Sequence, residues 1–296
     1  MAAVWILTDC AYLAQRMPGA VIDWLDARGR PARVVVADEG SVLTSLAPLG
    51  ATRDTSAWRG LEPGDVVLPR SRHPFALALL KEAEARGARA VNPWGAVIKA
   101  RNKVRCALAL DRRGVPIPPT FLAQRPGDLA FVEARYFPLV LKPYQGDNAR
   151  GIVIVTRPDE LGAVEWPEVM VLAQPFLDVG GTDLKLYAVD GEVWATNRPS
   201  PLLPQISAPV TAVVTTELRD LALACGAAFG LRLFGVDVLQ TPEGPVVVDV
   251  NDFPNYTGVD SAAGAIGEPP PRRRPPIARP SGLPTESTRR SQTSGT

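Results

Sequence analysis

Asp249 and Asn251 stand two residues apart at the end of the run Val246-Val247-Val248-Asp249-Val250-Asn251. Side chains alternate along a strand, so the two share a face and offer oxygen ligands of the kind Mg²⁺ takes. Asp237 lies twelve residues upstream of Asp249, in a second short apolar run, Phe234 to Leu239. Two adjacent strands would bring Asp237, Asp249 and Asn251 around metal-bound phosphates. The plainer reading is three polar residues that satisfy turns at strand ends, and spacing alone does not separate the two.

Cations occur at matching places. Lys142 closes the apolar run Phe137 to Pro143, and a polar loop, Tyr144-Gln145-Gly146-Asp147-Asn148-Ala149-Arg150-Gly151, follows before the strand-like Ile152 to Val155. Glycines let backbone N–H groups approach phosphate oxygens closely, and Lys142 would add a point charge. By itself such a hairpin is more often a plain turn. Lys103 falls in the first turn of a helix that Asn102 would cap, where a cation slightly opposes the helix dipole. In Gly181 to Gly191, Asp183, Lys185 and Tyr187 share one strand face and Leu184, Leu186 and Ala188 the other. The return strand delivers Arg198 before Pro199. Each of these cations has an ordinary alternative as a solvated surface residue.

Taken in order, Lys103, Lys142, the loop from Gln145 and Gly146 to Gly151, the hinge-like Val169 to Phe176, Asp237, Asp249 and Asn251 resemble the ATP-grasp superfamily over roughly residues 90–260. The resemblance implies ATP held between two α+β lobes. Lys103 and Lys142 would contact its phosphates and the loop would close over them. Gln174, Pro175 and Phe176 would read adenine through their backbone, and Asp237, Asp249 and Asn251 would hold Mg²⁺, or Mn²⁺ in its place. The family's hinge usually carries a glutamate. Gln174 stands there in this chain, with Asp178 as an alternative contact to the nucleotide. Lys185 and Arg198 would act on the transferred phosphoryl group. RimK-type carboxylate–amine ligases are the branch most resembled. They imply small-molecule or peptide acids and amines as partners and no protein nucleophile. Inositol-phosphate kinases of the same superfamily, and a non-catalytic nucleotide-binding protein, are the alternatives.

The expected fold is mixed: an N-terminal parallel α/β lobe over 1–95, a two-lobed ATP-grasp domain over 96–262 hinged near 174–178, and a disordered tail over 263–296. In the first lobe, strands at 4–7, 32–37, 65–68 and 88–91 alternate with helices at 20–28 and 74–86, which implies a parallel sheet with covered faces. Ligands of such sheets lie beyond the carboxyl ends of the strands. Arg70 and Arg72 fall there and are candidate contacts to an anionic substrate, against a basic turn before the 74–86 helix. A helix over 211–229 would pack behind the metal strands. Order should fade after Tyr256, because Glu268 to Pro276 is Pro/Arg-rich and the rest of the tail has few apolar groups.

Composition narrows the classes. The 296 residues are 46% hydrophobic with a net charge of +1, so nothing draws the whole chain to nucleic acid or an anionic membrane. No apolar run approaches the ~20 residues of a membrane span. The N-terminus reads as a first strand and not a signal peptide. Cys10, Cys106 and Cys225 show neither metal spacing nor a disulfide framework, which fits a reducing cytoplasm. One histidine, His73, makes a Ser-His-Asp hydrolase improbable, and neither a P-loop nor a Gly-x-Gly-x-x-Gly turn occurs. Oligomeric state stays open, a homo-oligomer included.

Overall fold

A computed structural model describes residues 2–40, 57–144, 150–200, 202 and 208–268. The first strands are β1 (Val4–Thr8), β2 (Arg33–Val36), β3 (Val66–Arg70) and β4 (Arg89–Ala90), in the order β2-β1-β3-β4 and all parallel. Helices α1 (Cys10–Leu13), α2 (Arg16–Asp26) and α3 (Pro74–Ala85) connect and cover them. The regular part of α2 begins at Pro18, because Met17 is extended (φ −102°, ψ 128°). A ring-locked φ suits that first turn. This places the helix two residues earlier than its hydrophobic spacing implies.

Two helices follow, α4 (Trp94–Arg101) and α5 (Lys103–Asp111). The second is capped by the Asn102 side chain, which accepts from the Arg105 N–H at 3.0 Å. Then come β5 (Phe121–Ala123), β6 (Leu139–Pro143), β7 (Val153–Val155) and β8 (Val171–Pro175), an antiparallel sheet ordered β5-β8-β6-β7. The last sheet is antiparallel, ordered β11-β10-β9-β12-β13. It holds β9 (Thr182–Val189), β10 (Glu192–Pro199), β11 (Val210–Ala212), β12 (Leu233–Thr241) and β13 (Gly244–Asn251), with α6 (Thr216–Phe229) before β12 and α7 (Ala262–Gly267) after β13. No helix among the described residues is long and apolar enough to cross a membrane.

The alternating strand β9 joins two cores. Leu184, Leu186 and Ala188 pack with α4, α5 and α6, while Tyr187 and Val189 pack with β1, β3, α2 and α7. The N-terminal sheet is thus fused to the five-stranded sheet through a shared core. A smaller core lies behind β6 and β8.

Four expectations need correction. The helix expected over 211–229 starts at Thr216, because Val210–Ala212 pairs with Ala195–Asn197 as the edge strand β11. Order does not fade after Tyr256: that side chain is fully buried and its hydroxyl donates to the Ala188 carbonyl at 2.9 Å. The closing helix α7 follows, with Ala262, Ala263 and Ile266 buried against α2. The boundaries drawn after residues 95 and 262 therefore each fall inside a helix, α4 and α7. The tail from residue 269 onward lies outside the described residues.

Glycine permits the docking of α7. A Cβ at Gly267 would sit 2.6 Å from Cε3 of Trp24 on α2. Replacing Gly267 by valine should therefore cost about 1–3 kcal/mol through overpacking and lower the melting temperature by several degrees. A thermal scan that shows no change would mean that α7 does not dock as described.

Candidate functional site

The ends of β3, β6, β8, β9, β10, β12 and β13 surround one cleft of about 370 Å³. Eight cationic side chains and five carboxylates line it, a local excess of positive charge that the whole chain does not have. It suits a polyanionic ligand.

At its floor, β12 and β13 set Asp237 directly opposite Asp249. The register slips between Asp237 and Val238, so Val248 is an extra residue, a β-bulge of the kind that re-aims side chains beside functional sites. Val248, Asp249 and Asn251 all line the cleft. Asn251 Nδ2 donates to Asp237 Oδ2 at 3.2 Å. Two carboxylates and a carboxamide oxygen form a hard-oxygen set that fits Mg²⁺. No group of three or more His, Cys, Asp or Glu side chains is placed to hold a metal among the described residues. A divalent ion here would therefore complete its shell with water and ligand phosphates, as Mg²⁺ ordinarily does.

Cations hold these carboxylates in place. Asp237 Oδ1 accepts from Lys185 Nζ at 2.7 Å and from Arg198 at 2.6 Å. Lys185 is its register partner on β9 and only 4% exposed, unlike a solvated surface lysine. Burial pushes the Lys185 ammonium down, and the Asp237 charge opposes it. Asp249 takes an ion pair from Lys103 and the N–H of Val250 at 2.9 Å. Burial raises the Asp249 carboxyl, but the Lys103 charge and hydrogen bond outweigh it and hold the pKa below the usual carboxylate value. Lys103 thus faces the metal-side carboxylate as well as the cleft.

Lys142 reaches the cleft from β6. Its Nζ donates to Gln174 Oε1 at 2.6 Å and to the Val248 carbonyl at 3.4 Å. Burial lowers its pKa to about 8, with the Asp249 charge opposing and the Lys103 charge adding to the fall. Gln174 is buried on β8, and its Nε2 donates to Thr120 at 2.9 Å. Both ends of the Gln174 amide are engaged by the protein, so its side chain positions Lys142 at the cleft that both residues line. The hinge backbone is partly engaged within the protein. The Phe176 N–H donates to the Pro138 carbonyl at 2.7 Å, and Pro175 has no N–H. Their side chains still line the cleft. Asp178 is exposed at the rim and accepts from the Gly180 N–H at 3.0 Å. Gln145 and Gly146 lie outside the described residues. Gly151 has φ +71°, which only glycine adopts easily, and packs against Pro143.

The N-terminal sheet supplies the far wall. Arg70 lines the cleft, but its guanidinium donates to the Phe253 carbonyl, to Gln15 at 2.8 Å and to Asn255 at 2.9 Å, over the Tyr12 ring. It clamps the N-terminal sheet to the segment after β13 while it lines the cleft. Arg72 lines the same wall, and its charge acts on Asp252.

Sequence reasoning passed over several residues. Arg101 donates to both oxygens of Asp252, at 2.9 and 2.8 Å. Burial raises the Asp252 carboxyl, but the Arg101 charge prevails and its pKa is lowered. Buried Asn92 donates to the carbonyls of Leu233 and Asp252, both at 2.6 Å, and accepts from the N–H groups of Arg232 and Leu233. These contacts fix the chain as it leaves β13. Asp252 directly follows Asn251 and was legible as an acid, but its partners lie about 150 residues away.

A family model described as the RimK-like ATP-grasp domain matches residues 100–266. A probable alpha-L-glutamate ligase of Alcanivorax borkumensis is 31% identical over 219 residues, covering 68% of this chain and 72% of that protein. One of Methanococcoides burtonii is 27% identical over 263 residues, covering 82% of this chain and 86% of that protein. Among solved structures, a RimK domain ATP-grasp protein of Sphaerobacter thermophilus superposes with a TM-score of 0.69 at 21% identity, over 90% of this chain and 98% of that one. The ATP-grasp ligase PsnB, complexed with minimal precursor, Mg and ADP, gives a TM-score of 0.65 at 19% identity, over 88% and 92% of the two chains.

Proposed function

The chain belongs to the RimK-like ATP-grasp family and is an ATP-dependent carboxylate–amine ligase, and from that we propose a division of labour within its cleft. The substrate is a small-molecule or peptide acid. ATP phosphorylates its carboxylate to an acyl phosphate, an amine attacks the acyl carbon, and the products are an amide, ADP and phosphate. The observation that carries this assignment is the convergence of Lys103, Lys185 and Arg198 on the Asp237–Asp249 pair, with Lys142 beside it on the Val248 carbonyl, within one cationic cleft.

Lys103 and Lys142 bind the nucleotide phosphates as point charges. Lys185 and Arg198 face the phosphoryl group in transit, where preorganised cations in a water-poor site stabilise charge as it moves. Gln174 holds Lys142 in line. Asp237, Asp249 and Asn251 would hold Mg²⁺, or Mn²⁺ in its place, which would supply positive charge to neutralise phosphate oxygens. Arg72, on the wall opposite, takes the acid's charge. The nucleophiles all come from substrates, which suits a cleft lined by no cysteine. Relatives named as glutamate ligases make L-glutamate the first substrate to test. Three free thiols and a need for ATP support a reducing, cytoplasmic setting for the reaction.

The decisive test is paired measurement of ADP and free phosphate from Mg·ATP with pooled amino acids and peptides. Equal ADP and phosphate, appearing only when an acid and an amine are both present, is the expected result. ADP without free phosphate, with label moving to an acceptor, would replace the ligase by a kinase.

A further inference from the structure

Asp183 is a charged residue for which the assignments above have no use. It sits on β9 two residues before Lys185, faces the same cleft and is 6% exposed. A carboxylate this buried ordinarily has a cation beside it, because an unpaired charge in a low-dielectric site is costly. Its cross-strand partner is Arg198, yet Arg198 turns its guanidinium to Asp237 at 2.6 Å. Lys185, the other cation whose charge acts on Asp183, is also committed to Asp237, at 2.7 Å. Among the described residues no ion pair to Asp183 forms. Its hydrogen-bond partner is the Ser200 hydroxyl, at the end of the same β9–β10 ladder, and Ser200 lines the cleft as well. A built anionic pocket with one hydroxyl thus opens onto the place where Lys185 and Arg198 meet the phosphoryl group. The cleft otherwise leans to positive charge and suits acids and phosphates.

We infer that Asp183 and Ser200 form the subsite for the acceptor amine, binding it as an ammonium ion beside the activated carboxyl carbon, where it sheds one proton to water before its lone pair attacks and a second to the departing phosphate. The inference rests on the ligase reading above. The remaining donor capacity of a primary ammonium suits this pair: one hydrogen bond to the carboxylate, one to the serine oxygen, with the nitrogen held near the acyl group. Burial lifts the Asp183 carboxyl above its ordinary value, against the Arg198 charge and the Ser200 hydroxyl, as expected for a carboxylate awaiting its counter-ion. The subsite therefore selects primary amines that arrive charged, and it positions them without taking part in phosphoryl transfer.

The experiment separates acid activation from amine capture. Enzyme, Mg·ATP and the pooled twenty amino acids are assayed for amide products. The same mixture with excess hydroxylamine, a nucleophile largely neutral near pH 7, is assayed for hydroxamates. For Asp183→Asn the expected result is hydroxamate formation within about threefold of wild type, while KM for the amine in amide formation rises at least tenfold with ATP affinity unchanged. Asp183→Glu should restore part of the loss. Ser200→Ala keeps the charge and guards against a folding defect in the first variant, and it should raise the amine KM less, in the same direction. An unchanged amine KM in both variants would overturn the subsite. So would an equal fall in hydroxamate and amide, which is what displacement of Arg198 would produce. Wild-type enzyme that forms neither hydroxamate nor amide from the pool would instead overturn the ligase reading beneath it.

Discussion

Asp249→Asn is expected to lower Mg·ATP turnover by at least about 10³-fold, a loss on the scale of removing a key electrostatic group from an active site. Asparagine keeps the shape of aspartate and can still accept from the Val250 N–H that now donates at 2.9 Å. What it removes is one of the two negative charges that β12 and β13 set opposite each other. A divalent cation held by one carboxylate and two carboxamides would bind far more weakly. Lys103 would at the same time lose its ion-pair partner. The melting temperature should fall as well, because Lys103, with its side chain only 14% exposed, keeps its charge and loses its partner. Turnover and melting temperature measured on the same preparation check this. Wild-type turnover in the variant would remove Asp249 from the metal site.

Lys142→Met should do something less intuitive: stabilise the ligand-free protein at neutral pH while weakening ATP binding by more than tenfold. An unfolded lysine keeps its proton to about 10.5, whereas the folded protein releases it near 8. Between those values the unfolded chain binds more protons, so this residue makes stability rise with pH across that window. Below about 8 the ammonium is charged in both states and the full cost of burying it is felt. That cost is up to about 3 kcal/mol, at 1.36 kcal/mol per pKa unit. Methionine removes it but leaves Gln174 Oε1 without its donor, a loss of about 1–2 kcal/mol. The net expectation is roughly 1 kcal/mol of stabilisation at pH 7, shrinking to nothing or reversing above pH 10. Melting temperatures of both proteins from pH 6 to 10 test the sign, and a gain that grew with pH would refute it. Saturating ATP should reverse the order at pH 7, because only the wild type binds it tightly.

The ligand-free protein therefore stores part of its binding capacity as strain between like charges and burial. Lys103, Lys142 and Lys185 are brought together with too few carboxylates to balance them once Arg198 is counted. A polyanion relieves that imbalance. This is the usual exchange at functional sites, where residues that weaken the fold are kept for the ligand.

Local rules that act along the chain carried much of this protein. Strand alternation alone put Asp249 with Asn251, and Asp183 with Lys185, because a period of two needs no knowledge of neighbours. The alternation of strands and helices over the first 90 residues fixed a parallel sheet, since β1, β2 and β3 are joined by segments long enough to cross over. Asn102 announced its helix through its own side chain. Residues whose meaning depends on distant partners could not be read this way. Arg70 and Arg72 look alike in sequence, yet one is spent on Phe253, Gln15 and Asn255 while the other stays with Asp252 and the cleft. Gln174 reads in sequence only as a hinge residue, and the fold alone sets its amide between Lys142 and Thr120. Helix α7 is short and glycine-rich, with little intrinsic tendency to form; it exists because α2, some 240 residues earlier, offers a face for Ala262, Ala263 and Ile266 to bury. Which side chains lie on a common face was set by covalent geometry within each element, whereas which cation meets which carboxylate was set by packing between elements, because charges and apolar faces are satisfied only in three dimensions.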